Sequence, residues 1–282
     1  MNHPIVSTPR QADFLAIPET PFVYWLRERF FRLLSSKPTV GERYRITWGV
    51  SSSDNDRFLR LFWETDGSDA HWLKHAKGGG FRRWCGMELW VLDWRDHGRP
   101  LKQWILARYP YLKTNYEIKV RPDTFFKNGW SYSSMARLGL SFRYLDKTWT
   151  TNAKSPAVFT EGDDAGLGVL FNSRLVTFLV RATSTSLNID EGYVARLPLP
   201  EHIPDVLAEY EAACVALKRW LVARDPTERT FGPSPLPLSR NAGEGGRAER
   251  GEVRARSGVD WSAEQTSHEW PSPRAPLPQV GE

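Results

Sequence analysis

Between residues 43 and 159 the sequence offers short alternating apolar runs broken by turn residues, a pattern that restricts the chain to an irregular, sheet-rich fold. The runs at 44–49, 57–63, 87–93, 116–121, 138–144 and 157–159 are expected strands, and a helical piece at 101–109 interrupts them. The turn segments, Asp96-His97-Gly98-Arg99-Pro100 and Lys127-Asn128-Gly129, fit neither the even spacing of a sandwich nor a βαβ alternation. Ten of the thirteen tryptophans fall between Trp25 and Trp149, so aromatic packing is concentrated in the same region.

Helices are expected on both flanks. Thr20 offers an N-cap and Pro21 a first-turn residue. Phe22, Trp25, Leu26, Phe30, Leu33 and Leu34 then share one face, which predicts an amphipathic helix over 21–34. Asp163 or Asp164 caps a second helix, with Leu167, Leu170, Phe171, Leu175, Phe178 and Leu179 on its buried side. Leu197-Pro198-Leu199-Pro200 must be extended, because a residue before proline is kept out of the helical region. Pro204 opens a third helix in which Leu207, Tyr210, Cys214, Leu217 and Leu221 step by 3, 4, 3 and 4. Two heptads of that seam predict packing on another helix. After Asp225 the chain turns to Pro, Ser, Gly, Arg and Glu with few large apolar side chains, so 226–282 is expected to be disordered.

Composition narrows the function classes. The net charge of +5 and a pI near 9.2 lean towards polyanionic partners. Two cysteines, Cys85 and Cys214, make no disulfide framework and too few ligands for a zinc site, so a reducing cytoplasm is the default. No apolar run approaches the eighteen or so residues that span a bilayer, and membrane partners are not expected.

The stretch 48–84 holds the strongest site signal. From Ala70 to Met87 there is no acidic residue, while Lys74, Lys77, Arg82 and Arg83 are basic. Gly78, Gly79 and Gly80 permit positive φ and close approach to a partner, and Phe81 and Trp84 bracket the arginines. Positive charge, flexible backbone and aromatic planes together suit a phosphate-and-base surface. Arg82 and Arg83 are the candidates for bidentate contact with guanine, and Lys74 and Lys77 for phosphates. Asn55, beside Arg57, either pairs with adenine or closes the Asp54-Asn55-Asp56 turn, the turn being favoured. Arg143 and Tyr144 are secondary candidates at a strand end.

Other chemistries are weakly supported. His71 and His75 are spaced as zinc ligands on a helix can be, but no Glu follows His71 and no third ligand presents itself. Asp123 lacks a metal-nuclease pattern, since Glu117-Ile118-Lys119 precedes it too closely. No catalytic, cofactor-binding or metal-ligating residue is assigned.

Six segments occur in fixed order: Ile17-Pro18-Glu19-Thr20-Pro21-Phe22-Val23-Tyr24-Trp25, Ser53-Asp54-Asn55-Asp56-Arg57-Phe58, Lys77-Gly78-Gly79-Gly80-Phe81-Arg82-Arg83-Trp84, Ser141-Phe142-Arg143-Tyr144, Gly166-Leu167-Gly168-Val169-Leu170-Phe171-Asn172-Ser173 and Leu197-Pro198-Leu199-Pro200. Together they resemble the C-terminal half of PglX-type adenine-specific DNA methyltransferases of phage-exclusion (BREX) systems, relatives of type IIG restriction-modification enzymes. The resemblance covers about residues 15–205. It implies a target recognition domain similar to that of type I specificity subunits, which reads double-stranded DNA while a separate domain binds S-adenosylmethionine and methylates a flipped adenine. It also implies a spacer helix after the Leu-Pro-Leu-Pro segment.

The family's Asn/Asp-Pro-Pro-aromatic motif is missing, for the chain has no Pro-Pro and no Asn-Pro dipeptide, and it has no glycine-rich cofactor loop after a strand. The expectation is therefore an α+β target recognition portion, not active alone, that needs a methyltransferase domain or chain. Its parts are an entry segment and helix (1–40), the recognition domain (41–202), a spacer-like helix (203–225) and a disordered tail (226–282). Two alternatives stand beside it, an interaction module and a non-functional remnant that binds DNA only with a separate methyltransferase.

Overall fold

The computed structural model describes residues 10–15, 17, 23–36, 38–65, 70–135, 138–160, 164–184 and 186–232. They form a mixed α+β structure with two four-stranded sheets. In chain order the elements are α1 (Gln11–Leu15), α2 (Glu28–Leu34), α3 (Val40–Arg43), β1 (Arg45–Thr47), α4 (Asn55–Phe58), β2 (Leu59–Leu61), β3 (Trp72–Ala76) and β4 (Trp90–Asp93). After them come α5 (Arg95–Arg108), β5 (Gly129–Tyr132), β6 (Phe142–Leu145), β7 (Trp149–Thr151), β8 (Ala157–Phe159), α6 (Leu167–Phe171), α7 (Arg174–Thr183), α8 (Glu191–Ala195) and α9 (Val206–Val222).

The first sheet runs β1-β8-β5-β6, antiparallel throughout, with Trp130 of β5 opposite Val158 on one side and Tyr144 on the other. One face packs on α2, α6, α7 and α8: Tyr132, Phe142 and Val158 meet Phe31, Phe171, Leu179 and Val194 in one buried cluster. The Phe142 and Phe171 rings stack 4.6 Å apart. The second sheet runs β2-β4-β3-β7, with β3 and β7 parallel and the other pairs antiparallel. It buries Leu59 and Leu92 against Leu101 and Ile105 of α5. Asp96, His97 and Gly98 are left-handed, so regular helix begins at Arg99, with Pro100 in the first turn where its missing N–H costs nothing. Glycine is required at 98, where a Cβ would lie 2.4 Å from the Trp94 ring.

Several local expectations are met and several are corrected. Strands form within 44–49 and 87–93 and over 157–159, while the one expected at 138–144 starts only at Phe142 and runs to Leu145. The segment 57–63 becomes a strand only at Leu59, because Asp54 accepts from the Arg57 N–H and caps α4. Residues 116–121 begin with a 3₁₀ turn, Tyr116–Ile118, and the expected strand is reduced to a single bridge of Val120 with Val50, flanked by backbone hydrogen bonds from Ser51 to Lys119 and from Arg121 to Gly49. Trp25 precedes α2 and is exposed instead of lying on a buried helical face. The expected cap at Thr20, with Pro21 and Phe22, lies outside the described residues, as does Asp163.

Asp164 accepts from the Tyr44 hydroxyl at 2.6 Å and pairs with Arg43, which ties it to the C-terminal end of α3. The single helix expected after it is two, broken at Asn172. That buried amide accepts from Phe142 N–H and donates to Phe142 C=O, acting as a strand partner, and Ser173 then caps α7. Leu175 and Phe178 are exposed.

The Leu-Pro-Leu-Pro segment is extended, as expected: Leu197 accepts from Val40 N–H, and Leu199 N–H donates to Pro38. α9 packs on α6 along one edge of the seam: Leu207 and Cys214 are half-buried and Glu211 accepts from the Gly168 N–H at 2.6 Å, while Tyr210 and Leu217 are 59 % and 61 % exposed and Leu221 is exposed as well.

Candidate nucleic-acid interface

The basic segment predicted as a glycine-jointed loop begins as a strand. β3 lies between β4 and β7, and its residues carry their charge onto tryptophan rings. Lys74 sits 5.5 Å from the Trp149 ring, and Lys77 sits 3.8 Å from that of Trp90. Burial against the ring lowers the Lys77 pKa from its ordinary value. Between them His75 is fully buried, bonded to Thr150 and Asn152, so it is a core residue and not a ligand. No cluster of three His, Cys, Asp or Glu suited to a metal occurs among the described residues.

Gly78, Gly79 and Gly80 all take positive φ, and a Cβ at Gly78 would lie 2.2 Å from the Lys154 carbonyl oxygen. Gly79 has open space around its α-carbon and donates nothing to packing, although its carbonyl accepts from Ser133. The next residues diverge in role. Arg82 faces inward, 3.0 Å from both Asp225 and Glu228. Trp84 is pinned by its backbone, its N–H donating to Phe142 and its carbonyl accepting from Tyr144, with its ring edge-on to Trp130.

Arg83 faces outward. Its guanidinium lies 5.2 Å from the Phe81 ring, and its Nε is buried without a hydrogen-bond partner. It lines an open cleft of about 440 Å³ together with Trp25 and the α7 residues Arg174, Thr177, Phe178 and Arg181. Three arginines line it, and no acidic residue occurs among its described lining residues. Trp25 and Phe178 are 52 % and 43 % exposed. The sequence signal for this half of the cleft is the spacing of Arg174, Thr177, Phe178 and Arg181, which puts all four on one helical face. Placing Phe178 on the buried side hid it.

The other candidates fall elsewhere. Arg143 is 4 % exposed and bonds to the hydroxyls of Ser133 and Ser155. Burial lowers its pKa to about 10, so the charge persists at neutral pH. No ion pair to Arg143 occurs among the described residues, and it is an interior tie without access to a partner. Tyr144 packs its ring on Trp130 at 5.6 Å, and burial raises its pKa. Asn55 accepts from the Ser52 hydroxyl at 2.8 Å, closing its turn, and Arg57 lies 4.3 Å from the Trp104 ring. Cys85 is buried, its thiol pushed up to about 11 by desolvation, which leaves almost no thiolate at neutral pH.

A second opening, of about 490 Å³, holds Arg45, Arg121, Glu117 and Asp123. It mixes signs, with Arg45 paired to Asp123, and is the poorer polyanion surface.

No protein-family model matches the chain. It is 25 % identical over 211 residues to the adenine-specific methyltransferase BrxX of Escherichia coli O9:H4 (strain HS), a match that takes in 70 % of this chain and 16 % of that protein. It is 25 % identical over 216 residues to the adenine-specific methyltransferase PglX of Lacticaseibacillus casei (strain Zhang), over 70 % of this chain and 18 % of that protein. The chain is thus related to BREX-type adenine-specific methyltransferases and spans about a sixth of the length of those it matches.

Proposed function

We propose that this chain is the DNA-reading portion of a BREX adenine-specific methyltransferase, acting on duplex DNA in cytoplasmic phage defence. The observation that carries the reading is the cleft lined by Arg83, Arg174 and Arg181, with no acidic residue among its described lining residues, in a relative of adenine-specific methyltransferases. Arginine forks suit both phosphate oxygens and the O6/N7 edge of guanine. Arg83 takes over the role that the sequence divided between Arg82 and Arg83. Lys74 and Lys77 contribute positive potential beside their tryptophans. The recognition portion is similar to that of type I specificity subunits and belongs to the C-terminal half of its enzyme. Methyl transfer and S-adenosylmethionine binding lie in a catalytic domain or chain outside this sequence, which carries no Asn-Pro-Pro motif.

The test is binding of the full chain to a random duplex pool at two salt concentrations, with sequencing of the bound fraction. An enriched motif and a steep salt dependence are expected. Arg83→Gln with Arg174→Gln should lower affinity about ten-fold and reduce the salt slope by about one per lost phosphate contact. Binding without enrichment, insensitive to salt and to both changes, would refute the reading.

A second reading is favoured by the exposed side of α9. Val206, Tyr210, Leu217 and Trp220 lie exposed along one stripe of that helix at a spacing near 3.5 residues. In this reading the helix docks the chain on its methyltransferase, and DNA is bound well only by the assembly.

A further inference from the structure

Duplex readers meet base edges and phosphates, since the faces of paired bases are hidden in the stack. The cleft offers something that edge reading does not use. Trp25 and Phe178, each about half exposed, line it beside three arginines. Exposed aromatic faces in a cationic groove have the chemistry of an unstacked base with its phosphates. A volume of about 440 Å³ lies within the range of small-ligand sites.

We propose that the cleft between α7 and the segment bearing Arg83 takes one unpaired nucleobase of duplex DNA. The base stacks on Trp25 or Phe178, its edge meets the Arg83 guanidinium, and a flanking phosphate lies on Arg174. The proposal rests on the DNA-reading function above and adds to it a preference for distorted duplex.

The experiment uses the full chain and two duplexes of one sequence, one fully paired and one carrying a single-nucleotide 2-aminopurine bulge. The bulged duplex should bind about ten-fold tighter, with quenching of 2-aminopurine fluorescence on stacking. Trp25→Ala, at an exposed position, should bring the two affinities together and abolish the quenching. Phe178→Leu is the second variant, its fold checked by circular dichroism because Phe178 also packs 4.9 Å from Phe30. Equal affinities without quenching would overturn the base site while leaving duplex reading intact. Failure to bind either duplex would overturn both. If free deoxyadenosine monophosphate displaces the bulged duplex at concentrations comparable to the duplex itself, the site is one for free nucleotides and the proposal falls.

Discussion

His75 shows how a single side chain can be fixed by its neighbours down to the proton. Thr150 Oγ1 donates to the Lys74 carbonyl, so its lone pairs accept from His75 Nδ1–H at 2.8 Å, and Nε2 is left to accept from the Asn152 amide. The pattern assigns a neutral imidazole protonated at Nδ1. Desolvation, with Lys77 nearby, lowers its pKa to about 3. In the unfolded chain the imidazole binds a proton below about pH 6.5, whereas in the fold it does so only near pH 3. The unfolded state therefore holds the extra proton throughout that window. Stability present above pH 6.5 should be lost as the pH falls towards 3, by up to about 1.4 kcal/mol per pH unit from this residue. Urea midpoints of wild type and His75→Gln at pH 7 and pH 4.5 check this. The variant, less stable at pH 7, should show the smaller difference between the two. The i,i+4 spacing of His71 and His75 could not reveal the role, because the partners of His75 arrive from 75 and 77 residues away.

At the scale of elements, what the sequence made legible was whatever local pattern decides. The strand at 157–159 is all apolar and buried, and α9 begins just after Pro204 with a helical period. Elements that were missed depend on remote pairing. β3 carries Lys74 and His75 in its middle and reads as polar, yet it is held by β4 and by a parallel strand beginning at Trp149. The break between α6 and α7 comes from Asn172 reaching across to Phe142, thirty residues earlier. Of the candidate site, Arg83 was legible from the charge run, whereas on α7 Phe178 was read as core and Arg174, Thr177 and Arg181 were not singled out. The α9 seam was legible as a repeat but not as a surface, since periodicity marks an apolar stripe without saying which neighbour covers it. Burial now separates two effects. Leu217 is 61 % exposed, so Leu217→Asp should change the stability of this chain by no more than about 0.5 kcal/mol. The same change should abolish co-purification with a methyltransferase polypeptide if α9 is a docking helix. Thermal melting and pull-down of one protein preparation measure both. A marked loss of stability would instead place Leu217 in this chain's own core.

Across the whole molecule, the segment that bears Arg83 is tethered on both sides, at Arg82 and at Met87, to a residue beyond the point where the composition changes. Packing does not stop at Asp225. Glu228 is 2 % exposed and accepts from the N–H groups of Met87 and Glu88 at 2.7 and 3.0 Å while pairing with Arg82. Few apolar residues follow α9, so a reading based on hydrophobicity ends the fold at 225. A buried carboxylate that satisfies two backbone donors and an arginine leaves no trace in hydropathy. Removing it strands those two backbone donors and leaves Arg82 with Asp225 alone, at a cost of about 3 kcal/mol. A chain ending at Asp225 should therefore melt about 5–10 °C below one ending at Gly232. Glu228→Gln in the full chain should give a smaller shift in the same direction. The short chain retains Arg83, Arg174 and Arg181, yet its Arg82 loses Glu228 and the segment before Gly86 loses its tether. Its duplex affinity should fall several-fold, and that of the chain ending at Gly232 should equal the full-length value. Melting curves and fluorescence anisotropy on the three lengths decide the matter. Equal melting temperatures would show that Glu228 is dispensable for the fold. Unequal melting with equal affinity would show that the cleft keeps its shape without this tether.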